Sequence, residues 1–163
     1  MVDAVKLALY RPSFYRAGGL TQAAMRGPSD WSVADRELMA AYVSKVNETE
    51  FCIAAHTATS TLAYNDGAKV SATLADLETA PLTEPLRATL RMLGKLTREN
   101  NVDADDMRIV LAAGASEQQI KDALAVAFAF NVTDRLADTF DFAVDDLAAI
   151  NAGAKYLLAR GYG

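Results

Sequence analysis

Apolar positions along the chain recur with a helical period, and no segment alternates in twos over a sustained run. The expected fold class is therefore all-α, without a sheet. The punctuation divides the chain into helices joined by short turns. In PSFYRAGGLTQAAMRG, Pro12 suits a first helical position and Gly27-Pro28 ends the helix. WSVADRELMAAYVSKVN places Ser32 and Asp35 at the spacing of a capping box and runs to about Asn47. A helix over roughly 48–64 stops at Asn65-Asp66-Gly67, and shorter ones are expected near 68–76, 83–99 and 103–113. Ser116 to Gln119 is a capping box that opens a long apolar helix to about Asp138. A last helix covers roughly 142–160. No repeat, linker or low-complexity tract interrupts this order, so residues 1–163 read as one domain.

The helix at 33–47 is apolar nearly all round. Leu38, Met39, Tyr42 and Val46 form a broad face, and Val33, Ala40 and Ala41 continue it on the other side. Such a helix is buried. Glu37 lies on the small-residue side, flanked by Val33, Ala40, Ala41 and Ser44. A carboxylate there needs a partner or a shifted pKa.

The next helix carries the chemistry. NETEFCIAAHTATS, Asn47 to Ser60, holds the one cysteine and the one histidine of the chain. At i and i+4, Cys52 and His56 share a helix face, together with Thr49, Thr59 and Ala63. The stripe is small and partly polar, the composition of a groove wall, while Phe51 and Leu62 point elsewhere, towards core. An adjacent imidazole lowers a thiol pKa, and so does a helix N-terminus. Cys52 falls in the first turn if Thr49 is the N-cap, and in the second if Asn47 caps with Glu50 completing a box. Spacing alone leaves three readings open: two buried structural residues, an activated thiol–imidazole pair, or half of a metal site. Zinc asks for three or four ligands, and only carboxylates remain to supply them, so no metal is expected.

Composition narrows the partners. The chain has 163 residues, is 52% apolar and is rich in alanine, enough to bury a core. Its net charge is −5 with no Lys/Arg cluster, which argues against nucleic acid and anionic membrane surfaces. The N-terminus, with an early Asp3 and a short apolar run, does not read as a signal peptide. The most apolar stretch, Ala123 to Phe130, falls short of the roughly 18 residues of a membrane span. A single cysteine suits a reducing compartment, and the cytoplasm is the expected location.

Glu37, then eleven residues, then Thr49-Glu50-Phe51-Cys52-Ile53-Ala54-Ala55-His56 resembles the signature of the alkylhydroperoxidase D-like, carboxymuconolactone decarboxylase superfamily. In that signature a glutamate precedes Cys-x-x-Cys-x-x-x-His by about a dozen residues. DRELMAAYVSKVNETEFCIAAHTA resembles the family's helix pair throughout, and FAFNVTDRLADTF is similar to a helix of its peroxidase-related branch. The resemblance extends over most of the chain as helix order, with the central pair as its diagnostic part. It implies an alkylhydroperoxidase D-like domain that forms homo-oligomers. It also implies a thiol peroxidase site with Cys52 as the peroxidatic thiol, His56 as its base and Glu37 as the relay carboxylate. Thr49 stands where the family has its first cysteine, so no intramolecular disulfide is available, although the Thr49 hydroxyl is suited to bond a Cys52 thiolate. The resemblance implies no cofactor.

Further candidates are Asn131 and Arg135, four apart on the long apolar helix, as substrate contacts. The alternative for Arg135 is a surface ion pair with Asp138. Tyr10, Phe14, Tyr15 and Trp31 suit an entrance, a subunit contact or plain core. Asp103, Asp105 and Asp106 complement a helix dipole and need no calcium. The leading expectation is a hydroperoxide reductase acting through Cys52 with an external thiol or dithiol reductant. The alternatives are a cofactor-free decarboxylase or isomerase of a small lactone or keto acid using Glu37 and His56, and a non-catalytic, redox-responsive oligomer.

Overall fold

The computed structural model describes residues 2–10 and 18–162, and among them every regular element is a helix. Nine occur there: α1 (Val2–Tyr10), α2 (Gly18–Arg26), α3 (Val33–Asn47), α4 (Glu50–Tyr64), α5 (Gly67–Ala75), α6 (Glu84–Glu99), α7 (Ala104–Ala112), α8 (Glu117–Thr139) and α9 (Leu147–Arg160). Among the described residues no helix is long and apolar enough to cross a membrane. The expected helix start at Pro12 lies outside the described residues, as do Phe14 and Tyr15.

Local chemistry sets most boundaries. Ser32 caps α3 in a full box with Asp35, and Ser116 caps α8 with Gln119. Asn65 ends α4 in the left-handed region at φ 53°, and the Asp66 side chain caps α5 at once. One boundary differs from expectation. The last helix begins at Leu147 and not near 142, because Asp141 turns left-handed (φ 48°) and the Asp146 side chain caps the backbone amide of Ala149. The five intervening residues run without helical bonding.

Helix α3 is the axle. It packs on α4, α8 and α6, and more lightly on α2 and α5, while α9 lies along α4. Leu38, Met39, Val43, Leu90, Leu93, Val126 and Phe130 form the centre of the core and are essentially inaccessible. Each such side chain stabilises the fold by about 1.5–3 kcal/mol through burial. Gly94 lets α6 approach α3 closely, since a Cβ there would meet the Tyr42 ring at 3.1 Å. Trp31 is core, its indole N–H donating to the Gln119 carbonyl at 2.8 Å, whereas Tyr10 is exposed.

Candidate functional site

The link between α3 and α4 is only Glu48-Thr49. Glu48 takes left-handed backbone at φ 61°, so the two helices fold back as a hairpin. Thr49 is the N-cap of α4, which puts Cys52 in the first turn. The hairpin brings the polar positions of α3 (Glu37, Ser44, Asn47) against those of α4 (Thr49, Cys52, His56). The seam is not the expected groove wall. Thr49, Cys52, His56 and Thr59 are all buried, because α8 and the segment after α9 cover them, and Leu62, expected in the core, is exposed.

Two polar clusters occupy this seam. The first centres on Glu37, which is wholly buried. His56 Nδ1 lies 2.8 Å from Glu37 Oε2. Arg26 Nη2 donates to Oε1 at 2.6 Å, and the Tyr162 hydroxyl donates to the same oxygen at 2.9 Å. Arg26 is the last residue of α2. Its guanidinium also donates to the backbone carbonyls of Met25 and Leu157 and lies 5.1 Å from the Tyr162 ring centroid, over its face. The imidazole sits between the edge of Phe130 and the face of Tyr162, with centroids at 4.5 and 6.1 Å. In a neutral imidazole a carboxylate on Nδ1 favours the tautomer with the proton on that nitrogen, which leaves Nε2 as the acceptor.

Burial is the largest influence on Glu37 and alone would raise its pKa. The hydrogen bond and charge of His56, with those of Arg26, outweigh it and hold the carboxyl below its ordinary range. The Tyr162 phenol is pushed well up, by burial first and then by Glu37. It is a hydrogen-bond donor and not a phenolate.

The second cluster centres on Asp134 of α8, also wholly buried. Ser44 donates to Oδ1 at 2.9 Å and Asn47 donates to Oδ2 at 2.8 Å. Next to it, the Thr49 hydroxyl donates to Asp138 at 2.8 Å. That hydroxyl is committed to a carboxylate, contrary to the expectation that it would serve a Cys52 thiolate.

The thiol also departs from expectation. Its pKa is raised, by burial first, then by the charges of Asp134 and Asp138. Among the described residues no hydrogen bond joins the thiol to His56. A place in the first turn of α4 offers about 0.3–1 kcal/mol towards the thiolate. Burying an unpaired anion costs several kcal/mol, so burial wins.

The two expected substrate contacts separate. Asn131 bridges the helices, accepting from Asn47 at 3.0 Å and donating to Thr97 at 3.4 Å. Arg135 is exposed and donates to the Asn131 carbonyl at 2.7 Å, and among the described residues no ion pair joins it to Asp138.

Two cavities among the described residues are not lined by Cys52. An apolar void of about 10 Å³ between α4 and α9, lined by Phe51, Ala54, Ala55 and Leu157 among others, holds at most about one water. A wider cleft lies between α2 and α8, near Leu20 and Asp122. Among the described residues no three of His, Cys, Asp and Glu are grouped to hold a metal.

Sequence reasoning missed Arg26, Tyr162 and Asp134. A signal for Asp134 was present: Ile120, Ala123, Ala127, Phe130, Asp134 and Ala137 form one helical stripe, and all are buried. Nothing local marks Arg26 or Tyr162.

This helix arrangement recurs in solved structures. An uncharacterized peroxidase-related protein from Silicibacter sp. TM1040 superposes with a TM-score of 0.79 at 24% identity, over 87% of this chain and 74% of that one. An alkylhydroperoxidase AhpD core, an uncharacterized peroxidase-related protein from Ralstonia eutropha JMP134, gives 0.80 at 20% identity, over 90% and 78%. No family model matches the chain, and no curated protein does. At these identities the likeness is one of fold: an all-α, AhpD-like arrangement.

Proposed function

We propose that this chain reduces hydroperoxides, with Cys52 as the group oxidised, an external thiol as reductant, and the Glu37–His56 pair as proton carrier. The observation that carries this reading is the 2.8 Å contact between Glu37 and His56, one helical turn from Cys52 on the same face of α4. That is the order of nucleophile, base and orienting group found in activated thiols. The fold shared with two peroxidase-related proteins supports it.

In the reacting state the thiol proton passes to His56 Nε2. The sulfur then bonds the terminal oxygen of the hydroperoxide and the O–O bond breaks. Sulfur loses two electrons and becomes the sulfenic acid. The leaving alkoxide takes the proton back from His56 and departs as the alcohol. An external thiol condenses with the sulfenic acid, releasing water and leaving a mixed disulfide. A second thiol frees Cys52 and leaves with the first as an external disulfide. Mass spectrometry after one equivalent of a hydroperoxide tests this. The expected product gains one oxygen at Cys52, and then a thiol adduct. An unmodified Cys52 under excess peroxide overturns the reading.

One observation favours a second reading. The Glu37, His56, Arg26 and Tyr162 cluster is complete without sulfur. Such a cluster suits cofactor-free decarboxylation or isomerisation of a small lactone or keto acid. Turnover of such a substrate that survives Cys52→Ser and is lost in His56→Ala separates it from the first. Self-association belongs to either reading: α8 leaves Phe128 and Val132 exposed at 61% and 45%. Sedimentation velocity tests it, and a monomer across the concentration range refutes it.

A further inference from the structure

Arg26 ends α2, where a cation suits the helix dipole, yet its side chain is drawn into the seam and only 12% of it is accessible. Nη1 and Nη2 reach the carbonyls of Met25 and Leu157, but Nε is buried with no hydrogen-bond partner among the described residues. A buried donor left unpaired is unfavourable, and so is a guanidinium taken out of water. What the placement secures is the 2.6 Å bond from Nη2 to Glu37 Oε1, the oxygen that His56 does not use. That bond decides which form of His56 leaves the buried group uncharged. With Arg26 and Glu37 both ionised, the group is neutral beside an imidazole and carries one positive charge beside an imidazolium. Without Arg26 it carries one negative charge beside the imidazole and none beside the imidazolium. A site of low dielectric favours the smaller net charge. Arg26 therefore favours the form of His56 that accepts a proton.

We propose that Arg26 is a positioning residue for the Glu37–His56 pair: its guanidinium balances the carboxylate at Oε1, so that Glu37 orients the imidazole through Oε2 without holding it as imidazolium. The consequence rests on the reading of that pair as proton carrier, and it is the same for a thiol proton or a proton on carbon. The charged and titratable groups that act on the pair are Arg26 from α2, Arg36 from α3, Cys52 from α4, Asp134 from α8 and Tyr162 after α9. Asp134 opposes Arg26, since its negative charge favours the imidazolium. Arg36, Cys52 and Asp134 stay the same when Arg26 is replaced, so they drop out of that comparison. The Tyr162 hydroxyl lies 2.9 Å from Glu37 Oε1 and 3.3 Å from His56 Nδ1. As a neutral phenol it helps to orient the pair without altering the charge count.

His56 is the one histidine of the chain, so its imidazole NMR signals need no assignment by mutation. Their titration is compared for wild type, Arg26→Met, Tyr162→Phe and the double variant Arg26→Met, Glu37→Gln. The midpoint is expected to rise by at least about one pH unit in Arg26→Met, a tenfold gain in proton affinity. Tyr162→Phe, which removes a bond at the same oxygen but no charge, is expected to move it less. The double variant removes both charges and is expected to return towards wild type. An unchanged or lowered midpoint in Arg26→Met overturns the proposal. So does an equal rise in Tyr162→Phe, because loss of any bond at Oε1 would then suffice. A double variant that titrates as high as Arg26→Met also overturns it, because the unbalanced carboxylate would not be what holds the proton. If Arg26→Met does not fold, the wild-type imidazole nitrogens at pH 7 decide. One protonated and one unprotonated nitrogen supports the proposal, and two protonated nitrogens overturn it. No peroxide enters these measurements. The expected shift, found beside a Cys52 that peroxide leaves unmodified, keeps the role of Arg26 and removes the peroxidase reading.

Discussion

Tyr162 and Glu37 are 125 residues apart in sequence, yet the phenol donates to the carboxylate at 2.9 Å while its ring stacks on His56. The turn that allows this is at Gly161, where φ is 72° and a Cβ would collide with the side-chain amide of Gln22. Gln22 then accepts the Tyr162 backbone N–H at 2.7 Å. The segment after α9 therefore closes the polar cluster by backbone fit as well as by the ring.

Tyr162→Phe keeps the stacking and removes one hydrogen bond to an ionised acceptor. It is expected to cost about 1.5–3 kcal/mol, read from urea unfolding midpoints. Tyr162→Ala is expected to cost more, because the face of His56 is then uncovered. Equal stability of Tyr162→Phe and wild type would show that the phenol–carboxylate bond contributes nothing.

Glu37→Gln leaves Arg26, nearly buried with 12% of its side chain accessible, without its counter-charge. Removing one partner of a buried pair costs about 3–5 kcal/mol. The same substitution is expected to cut peroxide turnover by about 10²-fold, as loss of a general acid–base group does. Turnover within twofold of wild type in a folded Glu37→Gln protein would exclude the proton-carrying role.

The two buried carboxyls have opposite pH signatures. Burial is the leading influence on both. At Glu37 the bonds and charges of His56 and Arg26 overcome it, so the native pKa lies below the ordinary 4.5. Its stabilising contribution is full above 4.5 and is lost as pH falls through the native value. At Asp134 the bonds from Asn47 and Ser44 do not overcome burial, so the native pKa lies above the ordinary 3.8. Its contribution is full below 3.8 and is lost as pH rises through the native value. Denaturant midpoints from acidic to neutral pH should therefore show Asp134→Asn more stable than wild type near neutrality. They should also show Glu37→Gln lacking the wild-type loss in acid. A neutral-pH midpoint for Asp134→Asn at or below that of wild type would contradict the first sign.

Thr49 and Cys52 occupy the N-cap and first turn of α4, and both have Asp138 as a neighbour. Thr49→Cys is expected to form an intramolecular disulfide with Cys52 on oxidation, seen as the loss of two protons by mass spectrometry, and then to accept electrons from a dithiol. Gain of oxygen without that loss would show that the two sulfurs do not meet.

What the sequence determined by itself is local. Period and capping placed α3 to α8, because the Ser32–Asp35 and Ser116–Gln119 boxes and the left-handed turn at Asn65 are written in adjacent residues. The all-round apolar pattern of α3 also determined that Glu37 would be buried, and helical spacing put Cys52 and His56 on one face. Tertiary structure decided which neighbour each of them answers to. The imidazole answers to Glu37 across the hairpin, under Phe130 and Tyr162. The thiol answers to Asp134 from a helix some eighty residues later in the chain, which raises its pKa where adjacency alone had suggested a lowering. A pKa is set by burial and by charges within a few ångströms in space, and a helical repeat specifies only those on its own helix.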